Sequence, residues 1–174
     1  VVLDVAAEAV ADLVDELDAI DLQVRTSTFR RGTMACTGIE FCKLAIVETK
    51  GNAASLVAEL EDRLPTFDRP LSIHVNGCPN SCARIQTADI GLKGQILTGA
   101  DGEPEFGFQV HLGGGLATSE REEAGLGRTV RGLKVSADEL PAYVERVVRS
   151  YVGTREVDET FSAWAKRSDD EAVK

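Results

Sequence analysis

Apolar residues recur at helical steps in several stretches of this chain and alternate at strand steps in one. Over residues 6–20, Val10, Leu13, Val14, Leu17 and Ile20 line one side with acids opposite, which predicts an amphipathic helix. Residues 22–25 read as a short strand. Residues 26–33 are polar and basic without periodicity and are expected to form a loop leading to Cys36. Over 39–49, Phe41, Leu44, Ala45 and Val47 suit a helix beginning beside Gly38. Asn52 is placed to cap a further helix reaching about residue 64, with Leu56, Val57 and Leu60 inward and Pro65 and Pro70 ending it.

Residues 71–75 form an apolar strand signal that runs into Gly77-Cys78-Pro79-Asn80-Ser81-Cys82. Residues 88–97 read as a strand in which Gly91 and Gly94 mark a turn or bulge. Phe106, Phe108, Val110 and Leu112 alternate with Glu105, Gly107, Gln109 and His111, the period of a half-buried strand, and Gly113-Gly114-Gly115 breaks it. Ser136 with Glu139 makes a capping box ahead of the stripe Leu140, Tyr143, Val144, Val147, Val148 and Tyr151. Phe161 and Trp164 sit in a last amphipathic segment expected to pack on the core, and residues 168–174 are expected to fray. Interspersed strands and helices imply an α+β domain, a mixed sheet with flanking helices.

An apolar share of 43% against 28% charged residues is enough for a real core. No run approaches the roughly 20 apolar residues of a membrane span, so no membrane partner is expected. The net charge of −10 argues against nucleic acid, whose phosphates need a basic face. One stretch departs from that balance: Arg25, Arg30, Arg31, Lys43 and Lys50 face only Glu40 and Glu48 between residues 25 and 50. It is either a set of solvated charges or a place for an anionic ligand. The chain opens on Val1-Val2-Leu3-Asp4-Val5, like the middle of a strand, with no signal-like segment. It is expected to be part of a longer cytoplasmic protein.

The four cysteines come in two pairs. Five residues separate Cys36 from Cys42, three separate Cys78 from Cys82, and 35 lie between the pairs. A disulfide framework belongs to short secreted chains, so metal or cluster ligation is the better expectation. Zinc knuckles space their cysteines two to four residues apart, which the first pair does not match. Ferredoxin-type runs use tighter spacings as well. Four thiolates on two loops can still enclose one cubane cluster.

Met34-Ala35-Cys36-Thr37-Gly38-Ile39-Glu40-Phe41-Cys42-Lys43-Leu44-Ala45 resembles the first cluster motif of ferredoxin-dependent sulfite and nitrite reductases. Asn76-Gly77-Cys78-Pro79-Asn80-Ser81-Cys82, followed by Ala88-Asp89-Ile90-Gly91, resembles the second. The likeness continues through Phe108-Gln109-Val110-His111-Leu112-Gly113-Gly114 to the helix after Ser136, and its flavour is closest to actinobacterial-like members. The resemblance implies that Cys36, Cys42, Cys78 and Cys82 bind a 4Fe–4S cluster and that Cys82 is also the axial ligand of a siroheme. It further implies ferredoxin as donor and a six-electron reduction of sulfite to sulfide, or alternatively of nitrite to ammonia. Residues 1–30 then correspond to the end of a ferredoxin-like half-domain and 31–174 to the cluster and siroheme domain.

Within that reading Asn80 is a candidate for a hydrogen bond to the cofactors, against a plain turn residue. Arg30, Arg31 and Arg84 are candidates for the siroheme carboxylates, which a guanidinium fork suits, against ordinary surface charges. Lys43 reads as solvated, and His74 and His111 as structural histidines. The triple glycine lacks dinucleotide-loop spacing, though its backbone can approach a macrocycle. In the family the residues that clamp the substrate anion lie upstream of the first cysteine motif, so this chain alone is expected to be inactive with reduced viologen and sulfite. Two other readings remain open at this stage: an electron-transfer module with a 4Fe–4S cluster and no siroheme, and a zinc-stabilised domain.

Overall fold

The structure, a computed structural model, describes residues 2–118 and 124–174. Five strands form one sheet in sequential order: β1 (Thr33–Ala35), β2 (Ile73–Asn76), β3 (Ile90–Thr98), β4 (Pro104–Leu112) and β5 (Arg128–Ser136). β1, β2 and β3 run parallel, whereas β4 and β5 are each antiparallel to the strand before. The mixed α+β sheet is the one that the sequence pattern implies. The helices are α1 (Val10–Asp18), α2 (Thr28–Gly32), α3 (Lys50–Arg63), α4 (Leu140–Thr154), α5 (Phe161–Arg167) and α6 (Asp170–Val173).

Parallel neighbours need a crossover, and α3 supplies it between β1 and β2. Between β2 and β3 only residues 77–89 are present, with a 3-10 turn at Ile85–Thr87 in place of a helix. That short crossover carries Cys78 and Cys82. Ile73, Val75, Ile90, Leu92, Phe108, Val110 and Leu112 of the sheet share one core with Leu56, Val57 and Leu60 of α3 and the predicted stripe of α4. Phe161 and Trp164 are buried in the same core.

On the alternate positions, Met34, His74, Gly91, His111 and Thr129 lie in one row across all five strands. β3 runs without interruption through Gly91 and Gly94, so neither marks a turn or a bulge. Close approach explains them instead. A Cβ on Gly91 would lie 2.1 Å from the Ile85 carbonyl oxygen, which shows how tightly the 3-10 turn presses on the sheet.

Several sequence expectations are corrected. Residues 22–25 form no strand; Asp21 sits at φ 60°, and Leu22 and Val24 remain exposed with no strand beside them. Residues 26–33 are not a loop but α2 and the start of β1, with Ser27 capping through the Arg30 N–H. Residues 39–49 are turns rather than a helix, because the Ile46 and Val47 N–H groups leave the segment to bond the Gly77 carbonyl. Asn52 does not cap α3. The Glu48 carboxylate takes the Lys50 and Asn52 N–H groups, and Asn52 sits in the first turn, its amide on the Glu48 carbonyl. The tail is ordered by packing: Asp169 caps α6, Val173 is fully buried, and the Tyr143 hydroxyl donates to the Val173 carbonyl at 3.0 Å. The capping box at Ser136 forms only in part: its hydroxyl accepts the Glu139 N–H and donates to Glu139 Oε2 at 2.9 Å, but Ser136 ends β5, and α4 starts after Glu139 with no side-chain cap.

Candidate functional site

Register brings the two cysteine loops together. Ala35 pairs with Val75, so Cys36 and Asn76 emerge side by side at the C-terminal ends of parallel strands, the edge where open α/β sheets hold ligands. The Cys36 N–H continues the ladder onto the Val75 carbonyl at 3.0 Å. Gly77 then joins the loops. Its N–H donates to Cys36 Sγ at 3.3 Å, and its carbonyl accepts from Ile46 at 2.7 Å. A backbone N–H aimed at a thiolate stabilises the anionic form and raises the potential of a metal centre attached to it.

Cys42 lies on a single turn closed by the Cys42 N–H to the Gly38 carbonyl at 3.0 Å and the Ala45 N–H to the Cys42 carbonyl at 3.1 Å. Gly38 must be glycine: φ is +77°, and a Cβ would stand 2.5 Å from Thr49 Oγ1. Thr49 is fully buried, donates to the Cys36 carbonyl at 2.8 Å, and keeps its oxygen 3.8 Å from Cys36 Sγ.

The second loop is clipped from below by Asn76, also fully buried. Its amide donates to the Cys78 carbonyl at 2.6 Å and accepts the Ala83 N–H at 2.8 Å. Ser81 and Arg84 hold left-handed backbone at φ 57° and 54°. Ser81 Oγ donates to Gln86 and accepts the Ile85 N–H, while the Arg84 carbonyl meets the His74 ring at 3.2 Å.

All four cysteines are free thiols: Cys78 is buried, Cys36 and Cys42 are half-buried, and Cys82 is exposed. Among the described residues no three His, Cys, Asp or Glu side chains stand close enough to hold one metal ion. Four thiolates on a single zinc would sit only about 3.8 Å apart given Zn–S bonds of about 2.3 Å. An iron–sulfur cube instead places each thiolate on its own iron.

The remaining predicted residues divide. Asn80 is exposed at the tip of the second loop. Arg84 is exposed, makes no ion pair among the described residues, and has its guanidinium 3.9 Å from the sulfur of Met34, the middle residue of β1. Arg30 is turned toward α3 in a two-pronged pair with Glu61 at 2.6 and 3.1 Å. Arg31 faces the other way, into an open cleft of about 720 Å³ that it shares with Arg69 and with the acids Asp68, Asp89, Asp158 and Glu159. Gly114 packs its backbone against Gln86 and Ala88, where a Cβ would meet carbonyl oxygens at 2.3 and 2.6 Å. Lys43 is exposed, as expected, beside exposed Ile39, Phe41 and Leu44. His111 is buried with its Nδ1 near Thr129 Oγ1, and burial followed by the Lys93 charge pushes its pKa down. Sequence reasoning passed over Thr49, Asn76 and Gly77. For Asn76 and Gly77 the signal was their place in the second cysteine motif, with a polar Asn76 ending a buried strand.

The chain belongs to the nitrite and sulphite reductase 4Fe-4S domain family, whose model matches residues 27–167, a span that holds both cysteine pairs. It is 52% identical over its whole length to Sulfite reductase (ferredoxin) 1 of Mycolicibacterium paratuberculosis, and 48% identical to Sulfite reductase (ferredoxin) of Mycobacterium tuberculosis; it covers 31% of each. Identity to the assimilatory ferredoxin-dependent nitrite reductase of Haloferax mediterranei is 34%, with 99% of this chain and 29% of that protein covered. The solved structure of the Mycobacterium tuberculosis NirA protein superposes with a TM-score of 0.91 at 47% identity, covering 99% of this chain and 32% of that one. The chain thus spans about a third of the length of these relatives. No helix among the described residues is long and apolar enough to cross a membrane.

Proposed function

We propose that this chain is the cluster-holding and siroheme-holding part of a ferredoxin-dependent sulfite reductase, with Cys36, Cys42, Cys78 and Cys82 as the cluster ligands and Cys82 also facing the siroheme iron. The observation that carries the reading is Gly77, whose two backbone groups tie the loop of Cys36 and Cys42 to the loop of Cys78 and Cys82 at the end of a parallel strand pair. The exposure of Cys82, in contrast to buried Cys78, leaves its sulfur open to a second partner.

A siroheme sharing a thiolate with a 4Fe–4S cluster supplies single-electron delivery to a substrate-binding iron, and the protein supplies placement and charge. On this chain the Gly77 N–H offsets charge on the Cys36 thiolate, and Thr49 fixes the Cys36 backbone. Arg84 beside β1 is a guanidinium with no ion pair among the described residues, suited to the acidic side chains of siroheme, whereas Arg31 lines a cleft that also holds Asp68, Asp89, Asp158 and Glu159. Arg30, spent on Glu61, serves α3 instead. The basic stretch near the loops would also favour an acidic donor such as ferredoxin. Free thiols fit a reducing cytoplasm. Sulfite is preferred over nitrite because the relatives at 48–52% identity are named for sulfite and the nitrite-named one stands at 34%.

The test is an anaerobic purification with cofactor synthesis supplied, read by visible and EPR spectra. A Soret band with a band in the red, plus a reduced-cluster signal, is expected. Cys82→Ser should abolish or shift the siroheme bands, and any of Cys36→Ser, Cys42→Ser or Cys78→Ser should lower iron content. Iron-free protein from every preparation would end the reading, and a cluster spectrum without tetrapyrrole bands would reduce it to an electron-transfer module.

A further inference from the structure

A fully buried asparagine at the end of a strand needs an explanation, since an amide taken out of water without partners costs about 1–3 kcal/mol. Asn76 is 0% exposed, and it spends one donor and its acceptor on the same short loop, at Cys78 and at Ala83. The two bonded positions bracket Cys82 and the three residues between the cysteines. Pro79 within that bracket has no N–H to offer, and Ser81 is held at φ 57°, so no regular hydrogen-bond ladder sets the loop's shape. The Ser81 contacts with Arg84, Ile85 and Gln86 anchor the loop's far side only. Among the described residues, Asn76 is the group that holds the Cys78 carbonyl.

We propose that Asn76 is a positioning residue for the iron–sulfur centre, setting the separation of the Cys78 and Cys82 sulfurs by clipping both ends of their loop. The inference rests on the cluster reading above and deepens it. Asn76 touches neither thiolate; it acts through the backbone that carries them. Because Cys82 is the proposed shared ligand, a loosened clip alters the cluster and its coupling to the siroheme together. Partners of this kind, one step removed from a metal ligand, typically contribute about 10–100-fold to metal retention.

The test compares the holoprotein with Asn76→Ala, Asn76→Asp and Ser162→Ala. Ser162 is a buried hydroxyl on α5 that donates to the Gly113 carbonyl at 2.7 Å and bonds no residue between the paired cysteines, so it reports the cost of losing a buried bond as such. Asn76→Asp keeps the size and the acceptor for Ala83 while losing the amide donor to Cys78, and a thermal melt of each variant separates a local change from a failure to fold. Expected are an altered EPR line shape of the reduced cluster in both Asn76 variants and about tenfold faster iron loss to a chelator in Asn76→Ala. Ser162→Ala should show an unchanged line shape despite lower thermal stability. Wild-type line shape and iron retention in both Asn76 variants would overturn the proposal alone, whereas wild-type protein without a cluster would overturn it together with the reading beneath it.

Discussion

Gly94 and Gly77 meet backbone to backbone: a Cβ on Gly94 would lie 2.8 Å from the Gly77 carbonyl oxygen and 2.5 Å from Val47 Cγ2. The middle of β3 thereby fixes the residue that ties the two cysteine loops together. Gly94→Ala must push Gly77 off both the Cys36 sulfur and the Ile46 N–H, because a carbonyl cannot rotate away as a side-chain tip can. We expect a loss of about 1–3 kcal/mol in urea unfolding, together with less iron bound per chain. Wild-type iron content in this variant would mean that Gly77 does not govern the loops.

Thr49 offers a cleaner subtraction, since valine matches its shape without the hydroxyl. Thr49→Val leaves the Cys36 carbonyl without its 2.8 Å donor in a fully buried place and should cost about 1–3 kcal/mol. Thr49→Ser, which keeps the donor and loses only a methyl, should cost less. Equal losses for the two variants would show that packing, not the hydroxyl, is what Thr49 contributes.

The parts of the fold that the sequence made legible are those whose side chains face one side only. The stripe from Leu140 to Tyr151 is buried as its period requires, whereas the alternation ending at Leu112 holds only for Phe108, Val110 and Leu112: Phe106 is exposed, and Gly107 and His111 on the opposite face are buried, so this end of β4 is covered on both sides. The cysteine spacing, with the motifs around it, pointed to the site that the register of β1 and β2 assembles. What could not be read depends on distant backbone. Residues 39–49 carry helical spacing, but their N–H groups are claimed by Gly77, some thirty residues further on. Gly91 and Gly94 look like strand breakers until the Ile85 and Gly77 carbonyls are seen pressing on them. Arg30 and Arg31 are adjacent in sequence and identical in type, yet Glu61 draws one away while the other lines a cleft. The buried place of Val173 rests on a tyrosine thirty residues upstream.

Acid should act in two stages. Burial, and after it the charge of Lys93, hold His111 below the ordinary histidine value of 6.5. The unfolded chain therefore takes up a proton that the folded one refuses, and the stability that His111 contributes is intact above about pH 6.5 and declines as pH falls below it. The Arg30, Arg149 and Arg167 hydrogen bonds hold Glu61, Glu145 and Glu159 below the ordinary 4.5. Their contribution is present above about that value and is lost as pH drops through the folded-state values. Urea midpoints between pH 8 and about pH 2.5 should show both declines in the wild type. His111→Gln should flatten the upper one and leave the lower one in place; an unchanged upper slope would remove His111 from the account.

Tyr143 and Val173 connect the middle of α4 to the last helix through a buried hydroxyl bond of 3.0 Å. Burial pushes the phenol well above its ordinary value, so it remains a donor at any working pH. Arg128 adds a second tether, bonding the Ser168 carbonyl at 3.0 Å and pairing with Asp170. Tyr143→Phe removes one oxygen and leaves the ring in its pocket. The Val173 carbonyl then loses its buried partner, and the cost should be about 1 kcal/mol. Because α6 has only four residues, it cannot hold its own hydrogen bonds without that contact. Amide exchange should accordingly speed up over residues 170–173 and stay slow along α4, whose stripe is packed independently of the hydroxyl. Uniform acceleration across both helices would mean that the tail and α4 unfold as one unit; no acceleration at all would mean that Arg128, with the Arg146 and Ser150 bonds to the tail carbonyls, keeps the tail in place without the hydroxyl.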